Sequence, residues 1–375
     1  MRMSASLIER HRAFWDCSPE ARPLCDFFVG GVLPLATYHD GLREGPLAPE
    51  MIIPEAWEIL YSHVGHTRPR QGELVDTVYP LVTLPWLEAI LGCPVKVSLT
   101  SHSMGTEPYL DDLSQLDAVE AAALDPANPW FLKLLEFQRY LITTFGSQQP
   151  VGLPVMRGPL DLATAMLGGA RTLYEFYDHP TAMEHLLRVC ADVWLHVARA
   201  QMALIPAYAG GFFSYRLLWT PRPSPVLQED STAFLSPALY RQFVLPQDER
   251  ILAEFTYPCF HTHSASMGIV LDGLLACPSV KAIDSCWDPA PFGPPVETLI
   301  PAYHRIQEAG KSLYILATGC PTQEELLLLC RELSPRGLCV FFEAQDETVG
   351  RYMLERMAGA WQGQLPGVPM ESPSH

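Results

Sequence analysis

The sequence has no stretch of about 18 consecutive apolar residues, the length that a membrane-spanning helix needs. Its ten cysteines are scattered along the chain, and none forms a CxxC pair. Their spacing therefore gives no sign of a disulfide framework. The first residues, MRMSASLIERHRAFWD, are charged and lack the apolar core of a signal peptide. Together these absences predict a cytoplasmic protein with free thiols.

Several enzyme signatures are also missing. There is no GxGxxG, GxxxxGK[ST] or GxSxG, so dinucleotide, nucleoside triphosphate and serine-hydrolase sites lose their main support. Basic residues are scarce, because 25 Lys and Arg face 42 Asp and Glu, for a net charge of −17. Such a surface repels phosphate backbones and anionic lipid, which argues against nucleic acid and membranes as partners. A small-molecule substrate and a homodimer are compatible with it.

The chain is long enough, at 375 residues with 48% hydrophobic, for a large core. Short apolar runs alternate with segments of helical period. Thr181 with Glu184, and Thr322 with Glu325, form patterns typical of helix starts. The order of elements predicts a parallel sheet with right-handed crossovers, and eight units favour a closed (β/α)8 barrel. The expected strands are Phe27–Gly31, Pro154–Gly158, Gly211–Leu217, Pro225–Glu229, Cys259–His263, Ala282–Trp287, Leu313–Thr318 and Leu338–Glu343.

Residues 32–150 interrupt this alternation. They contain helical patterns and no strand of comparable quality. We interpret them as a mostly helical insertion that caps the barrel mouth, within one domain spanning 1–375. A separate helical domain is the alternative, but no Ser/Gly-rich linker supports it. The expected helices are Pro54–His66, Pro85–Leu91, Leu113–Leu124 and Trp130–Phe145.

The sharpest local signal is the segment FHTHS at the end of an expected strand. Side chains alternate along a strand, so His261 and His263 point the same way. Barrel enzymes place their chemistry at this carboxyl end. Two imidazoles can ligate one metal ion, and Cys320, after another strand, offers a third ligand. Without metal, both histidines would be hydrogen-bonded inside the barrel or to substrate. Alternative ligands on the intervening strand are Asp284, Cys286 and Asp288.

Other polar residues sit at strand ends. Glu229 and Asp230 follow an apolar run, where one would act as ligand, general base or orienting group. Arg157 would either hold a substrate carboxylate or phosphate, or pair with Asp161. The remaining candidates for substrate contacts are Arg216, Trp219, Asp288 and, in the cap, His39.

Four segments resemble a known family: MRGPLDLATAMLGGARTLYEFYDHP, VLQEDSTAFLSPALYRQFVLP, FHTHSASMGIVLDGLL and LATGCPTQEELLLL. From about residue 25 to about 358 the chain is similar to the uroporphyrinogen decarboxylase superfamily, which includes the cobalamin- and corrinoid-dependent methyltransferases. The decarboxylases carry an Arg-Gln-Ala-Gly-Arg-Tyr signature for substrate carboxylates. The matching region here reads DFFVGGVLPLATYHDG, which argues against uroporphyrinogen as substrate.

The methyltransferase branch binds zinc through His-x-Cys and a later cysteine. His261, His263 and Cys320 stand at those places, with histidine replacing cysteine at 263 and Ser264 replacing glycine. The resemblance implies zinc-dependent methyl transfer involving a small thiol or a corrinoid protein partner. An imidazole in place of a thiolate makes the site more positive and would suit an oxygen ligand as well. Two alternatives stay open: a metal-free decarboxylase (a lyase) acting on a carboxylated or tetrapyrrole-like substrate, and a tetrapyrrole- or corrinoid-binding protein.

Overall fold

A seven-stranded parallel sheet forms the centre of the molecule. The computed structural model describes residues 3–30, 43–55, 73–81, 84–98, 100 and 103–362. The strand order is β1-β10-β9-β8-β7-β6-β5. Strands β8 and β9 are buried along their whole length, as expected for a parallel sheet covered on both faces. The bounds are β1 Leu24–Val29, β5 Met156–Arg157, β6 Val226–Gln228, β7 Cys259–His263, β8 Ala282–Trp287, β9 Ser312–Ala317 and β10 Leu338–Ala344.

Helices follow most of these strands and supply the connections between them. A π-helical turn, Tyr240–Val244, separates Pro237–Leu239 from α8. The α-helices are α1 Ala5–Trp15, α2 Trp86–Ile90, α3 Leu116–Ala123, α4 Pro129–Phe145, α5 Pro159–Leu167, α6 Gly169–Asp178, α7 Pro180–Leu204, α8 Leu245–Leu252, α9 Met267–Ala276, α10 Val296–Glu308, α11 Gln323–Glu332 and α12 Glu347–Trp361.

One predicted helix start is confirmed and the other is wrong. Thr322 caps α11 and forms a capping box with Glu325. Helix α7 begins at Pro180 instead, with His179 in the N-cap position. Proline has the backbone angle of a first helical residue, so the helix starts before Thr181 is reached.

The parallel α/β arrangement predicted from the sequence is confirmed, but one expected strand is wrong. Residues 211–217 form only isolated bridges, such as Leu153 with Ser214. Leu217 has a positive φ of 64°, and its N–H donates to Ser214 O at 2.9 Å, so the chain turns there. The strands that the structure describes form an open sheet, and closure into a barrel stays a prediction.

A small antiparallel sheet lies within the region predicted to be helical. It consists of β2 Gly45–Leu47, β3 Val95–Ser98 and β4 Ser103–Thr106. Strands of three or four residues carry too little alternation to be recognised. Helices α2, α3 and α4 confirm three of the expected helices. The fourth, Pro54–His66, lies almost entirely outside the described residues.

One continuous core joins the sheet to the surrounding helices. Helix α7 contributes the fully buried Trp194, and α12 packs against β1. All ten cysteines are free thiols, as their scattered positions predicted. Within the described ranges, no helix has both the length and the apolar character that crossing a bilayer would require.

Gly350 of α12 is expected to be intolerant of any side chain. A Cβ there would overlap the ring of Phe27 on β1. Gly350→Ala should therefore lower the free energy of unfolding by about 1–3 kcal/mol, measured by urea denaturation. Gly268→Ala is the matched control, because that helical glycine faces open space. It should be neutral or stabilising by up to about 1 kcal/mol. Equal stability of the two variants would contradict this packing.

Candidate metal centre

The register of three adjacent strands brings the candidate residues together. Cα pairing sets His261 beside Asp284 and His263 beside Cys286. Because strand side chains alternate, both histidines project from the same face of β7. Asp230 follows the end of β6 and Asp288 follows the end of β8. These candidate residues therefore lie together at the carboxyl edge of the sheet.

Asp230 is the residue that faces both imidazoles. Its Oδ1 lies 3.9 Å from His261 Nε2 and 3.5 Å from His263 Nε2. That oxygen is buried and has no hydrogen-bond partner among the described residues, whereas Oδ2 accepts from Gln228 Nε2 at 2.7 Å. One donor atom from each of the three residues lies within 4.8 Å of the others. This spacing is compatible with a single cation between them.

A carboxylate holds the far nitrogen of each imidazole. Asp284 Oδ2 is 2.7 Å from His261 Nδ1, and Asp288 Oδ2 is 2.8 Å from His263 Nδ1. Metal-binding histidines are commonly oriented in this way by an outer carboxylate, which leaves the Nε2 lone pair for the ion. Asp288 was predicted to contact substrate; it lies in this orienting position, and its contact with substrate stays a prediction.

The two histidines have opposite electrostatic tendencies. Burial lowers the pKa of His261, against the raising effect of Asp284. Burial also opposes charge on His263, but Asp288 and Asp230 outweigh it and raise the pKa of that imidazole. His261 is buried, whereas the side chain of His263 is 38% exposed. The centre thus has a dry side at His261 and a solvent-facing side at His263.

Arg216 lies beneath His261 and is buried. Its Nη2 is 2.6 Å from His261 Nδ1, and its Nε contacts the carboxylate of Asp284. The guanidinium lies 4.5 Å from the Tyr215 ring and 5.6 Å from the Tyr314 ring. Burial raises the pKa of Asp284, but Arg216 and His261 together hold it below the usual value. The predicted substrate contact of Arg216 is therefore not supported, because its charge is neutralised inside the protein.

Glu229 was predicted as a catalytic group; it lies against the N-terminus of α5, and its catalytic function stays a prediction. It is fully buried, and its oxygens accept from the N–H groups of Leu160 and Asp161 at 3.1 and 3.2 Å. A carboxylate is favourable at this N-terminus of α5. Gly158 leaves room for it, because a Cβ there would overlap the carboxylate. Burial, followed by the charge of Asp248, raises the pKa of Glu229.

Asp161 fixes the backbone at Asp230, the residue that follows Glu229. Its two oxygens accept from Asp230 N at 2.9 Å and from Ser231 N at 2.7 Å. Asp161 was considered only as a partner for Arg157. Asp161 lies in the first turn of a helix that begins Gly-Pro. That position is the sequence signal for its contact with the backbone N–H groups of a neighbouring loop.

Arg157 pairs with a residue of the predicted cap. Its Nη1 donates to Glu88 Oε1 at 2.9 Å, and its side chain is 43% exposed. Glu88 first, and then Asp161 and Asp230, raise the pKa of Arg157 against the effect of burial. Its catalytic function stays a prediction. Glu88 belongs to the cap segment Trp86–Glu88, which was a candidate for reaching the site, but its pairing with Arg157, 69 positions away, was not predicted.

Two candidates have other surroundings. Trp219 is buried against α1, where its N–H donates to His11 Nδ1 at 3.0 Å and its carbonyl accepts from Trp15 Nε1 at 3.0 Å. These contacts explain its burial without a substrate, so the prediction for Trp219 is not supported. His39 lies outside the described residues.

Cys320 is not a member of any three-donor group found within the described part of the chain. It is partly exposed, with a positive φ of 55°. Its assignment as a zinc ligand stays a prediction from the resemblance. Cys286, one of the alternatives, does belong to a group, with His263 and Asp288.

Sequence comparisons give no match, neither to a protein-family model nor to a curated protein. A comparison with solved structures does give a match. The chain shares its fold with a methyltransferase. That protein, a methyltransferase from Methanosarcina mazei, superposes with a TM-score of 0.57 over 95% of this chain and 98% of the other, at 14% sequence identity. At this identity the likeness concerns the fold.

The pair between His263 and Asp288 predicts a pH-dependent contribution to stability. Because the folded pKa of His263 is raised, this contribution is present below the unfolded value of 6.5 and is lost as the pH rises through the folded pKa. In metal-free protein, Asp288→Asn should therefore cost more unfolding free energy at about pH 5.5 than at about pH 8.

Asp272→Asn serves as the control for that measurement. Asp272 pairs with Arg305 on the surface, and the hydrogen bond from Arg305 holds the pKa of Asp272 below its usual value, so this carboxylate stays charged at both pH values. Its effect should be the same at both. An effect of Asp288→Asn that does not change with pH would contradict the His263 assignment.

Proposed function

We propose that this chain is a zinc-dependent methyltransferase related to the corrinoid-dependent branch of the uroporphyrinogen decarboxylase superfamily. The observation that carries the proposal is the buried, unpartnered Oδ1 of Asp230 opposite two imidazole Nε2 atoms. The fold shared with a methyltransferase and the four family-like segments support the reaction class. The proposed substrates are a small thiol and a methyl group supplied by a corrinoid or corrinoid protein.

The donor set fits zinc. Two imidazole nitrogens and one carboxylate oxygen are ligands that zinc accepts, and three protein ligands leave a fourth position for substrate. A zinc ion held there would favour the thiolate form of a bound thiol. With Asp230 as the third ligand, the formal charge of the loaded centre is +1, since only one ligand is anionic. Cys320 stays the alternative third ligand that the family resemblance implies.

Other residues of the chain are proposed to orient the ligands and to bind the substrate. Substrate reaches the centre from the side of His263 and Asp230, whose side chains are 38% and 35% exposed. Asp288 orients His263, and Asp161 holds the backbone of Asp230. Arg157, half-exposed beside this entrance, is the proposed contact for an anionic group on the substrate.

We also propose that the sheet is the larger part of a closed barrel with residues 32–150 as its cap. Isolated parallel bridges join Val78 to Val151 and Leu153 to Ser214. The N–H of Leu74 donates to Asp26 on edge strand β1 at 3.2 Å. These links run between the two edges of the sheet. The ion pair from Glu88 of α2 to Arg157 supports a cap over the carboxyl edge.

The alternatives have less support. A metal-free decarboxylase needs a cation for the substrate carboxylate, and of the two candidate arginines only Arg157 is available, because Arg216 is paired with the buried Asp284. A tetrapyrrole-binding protein needs an accessible axial ligand, and His261 is buried. His263 would be the axial ligand in that case.

Metal binding tests the proposed ligands. Purified protein should bind roughly one zinc per chain, and His261→Ala or Asp230→Asn should weaken binding strongly, because three donors are the minimum for a protein zinc site. Isothermal titration against a chelator gives the affinity. Cys320→Ser should bind as the wild type does. If Cys320→Ser loses zinc binding and Asp230→Asn retains it, the third ligand is Cys320 and not Asp230.

Methyl transfer tests the reaction. Zinc-loaded protein should demethylate methylcobalamin in the presence of a small thiol. The reaction is measured by the change in corrinoid absorbance. Asp288→Asn should lower the rate by roughly 10–100-fold, because an outer carboxylate that orients a ligand has effects of this size. Asp272→Asn is again the control. Carbon dioxide release from a carboxylated substrate by metal-free protein, without methyl transfer, would contradict the proposal.

A further inference from the structure

His261 Nδ1 has two close partners that make opposite demands on it. Arg216 Nη2 lies 2.6 Å away and can only donate, while Asp284 Oδ2 lies 2.7 Å away and can only accept. His261 is buried and lies against the guanidinium of Arg216, which disfavours a second positive charge, and a neutral imidazole carries one hydrogen. Nδ1 therefore satisfies one of these partners at a time.

The choice at Nδ1 decides what Nε2 presents to Asp230. If Nδ1 accepts from Arg216, the hydrogen is on Nε2 and points towards the unpartnered Oδ1 of Asp230. If Nδ1 donates to Asp284, Nε2 has a free lone pair opposite that oxygen. Two lone pairs facing each other in a buried site are unfavourable unless a cation lies between them.

We propose that Arg216 is a positioning residue that holds metal-free His261 in the Nε2–H tautomer, and that metal binding switches the imidazole to the Nδ1–H tautomer bonded to Asp284. The inference rests on the metal site of the proposed function. In the switch, Nε2 loses its hydrogen and Nδ1 gains one, so the charge of the imidazole is unchanged. Arg216 thus opposes metal binding, whereas Asp284 supports it.

The surroundings of Arg216 keep its guanidinium in place. It is buried between the rings of Tyr215 and Tyr314, and its Nε remains on Asp284 while Nη2 reaches His261. A planar fork suits this double contact, and a lysine ammonium does not reproduce it. Arg216→Lys therefore removes the fork but retains the charge that compensates Asp284.

Nitrogen-15 NMR of the imidazoles tests the switch directly in wild-type protein. The His261 signals, assigned by their loss in His261→Asn, should show the Nε2–H tautomer without metal and Nδ1–H with one equivalent of zinc. Finding Nδ1–H in the metal-free protein would overturn the inference. This spectrum decides the matter even if the variants below do not fold.

Zinc affinity gives the second readout. Arg216→Lys should bind zinc roughly fivefold more tightly, because one competing hydrogen bond is removed. Asp284→Asn should bind roughly 10–100-fold more weakly. If Arg216→Lys binds zinc more weakly and the tautomer of His261 is unchanged, Arg216 is a simple counter-ion and the inference is overturned. If wild-type protein binds no zinc, the proposed function fails, and the metal-free spectrum still decides which tautomer Arg216 selects.

Discussion

The candidate centre depends on one constraint: a carboxylate lies beside Nδ1 of each of two histidines, so that both Nε2 atoms face a third carboxylate oxygen, which has no hydrogen-bond partner in the part of the chain that the structure describes. A buried oxygen without a hydrogen bond is costly, and native proteins rarely keep one without a reason. A cation between these three atoms removes the cost. The proposed zinc site follows from this arrangement, and the fold likeness alone would not give it.

The surrounding polar groups contact the candidate ligands or the loops that carry them. Glu229 and Asp161 use the N-terminus of α5 to fix the loop that carries Asp230, and Gly158 makes room for that contact. Arg216 compensates the buried charge of Asp284. Several charged residues predicted as catalytic therefore contact the candidate ligands or their neighbours. The side of the candidate centre at His263 is exposed.

The sequence predicted the elements that repeat regular patterns. Alternation along β7 placed His261 and His263 on one face, and the order of strands and helices gave a parallel sheet. The carboxyl edge of the sheet as the location of the site follows from the same reasoning. Asp230 is also predicted at that edge, as a ligand or a base, because it follows a short apolar run in the sequence.

The functions of individual polar residues were beyond the sequence because they depend on contacts between distant segments. The pair between Arg157 and Glu88 spans 69 positions, and the contact of Arg216 with His261 spans 45. Trp219 is of a residue type that is common in binding sites, but it is hydrogen-bonded to α1. The strand expected over residues 211–217 fails at Leu217, where a positive φ turns the chain.

X-ray absorption at the zinc edge of the loaded protein tests the central claim most directly. If Asp230 completes the site, the first shell contains only nitrogen and oxygen neighbours, at about 2.0–2.2 Å, with the outer-shell signal of two imidazoles. A sulfur neighbour at about 2.3 Å, or a shell without histidine, would contradict the account.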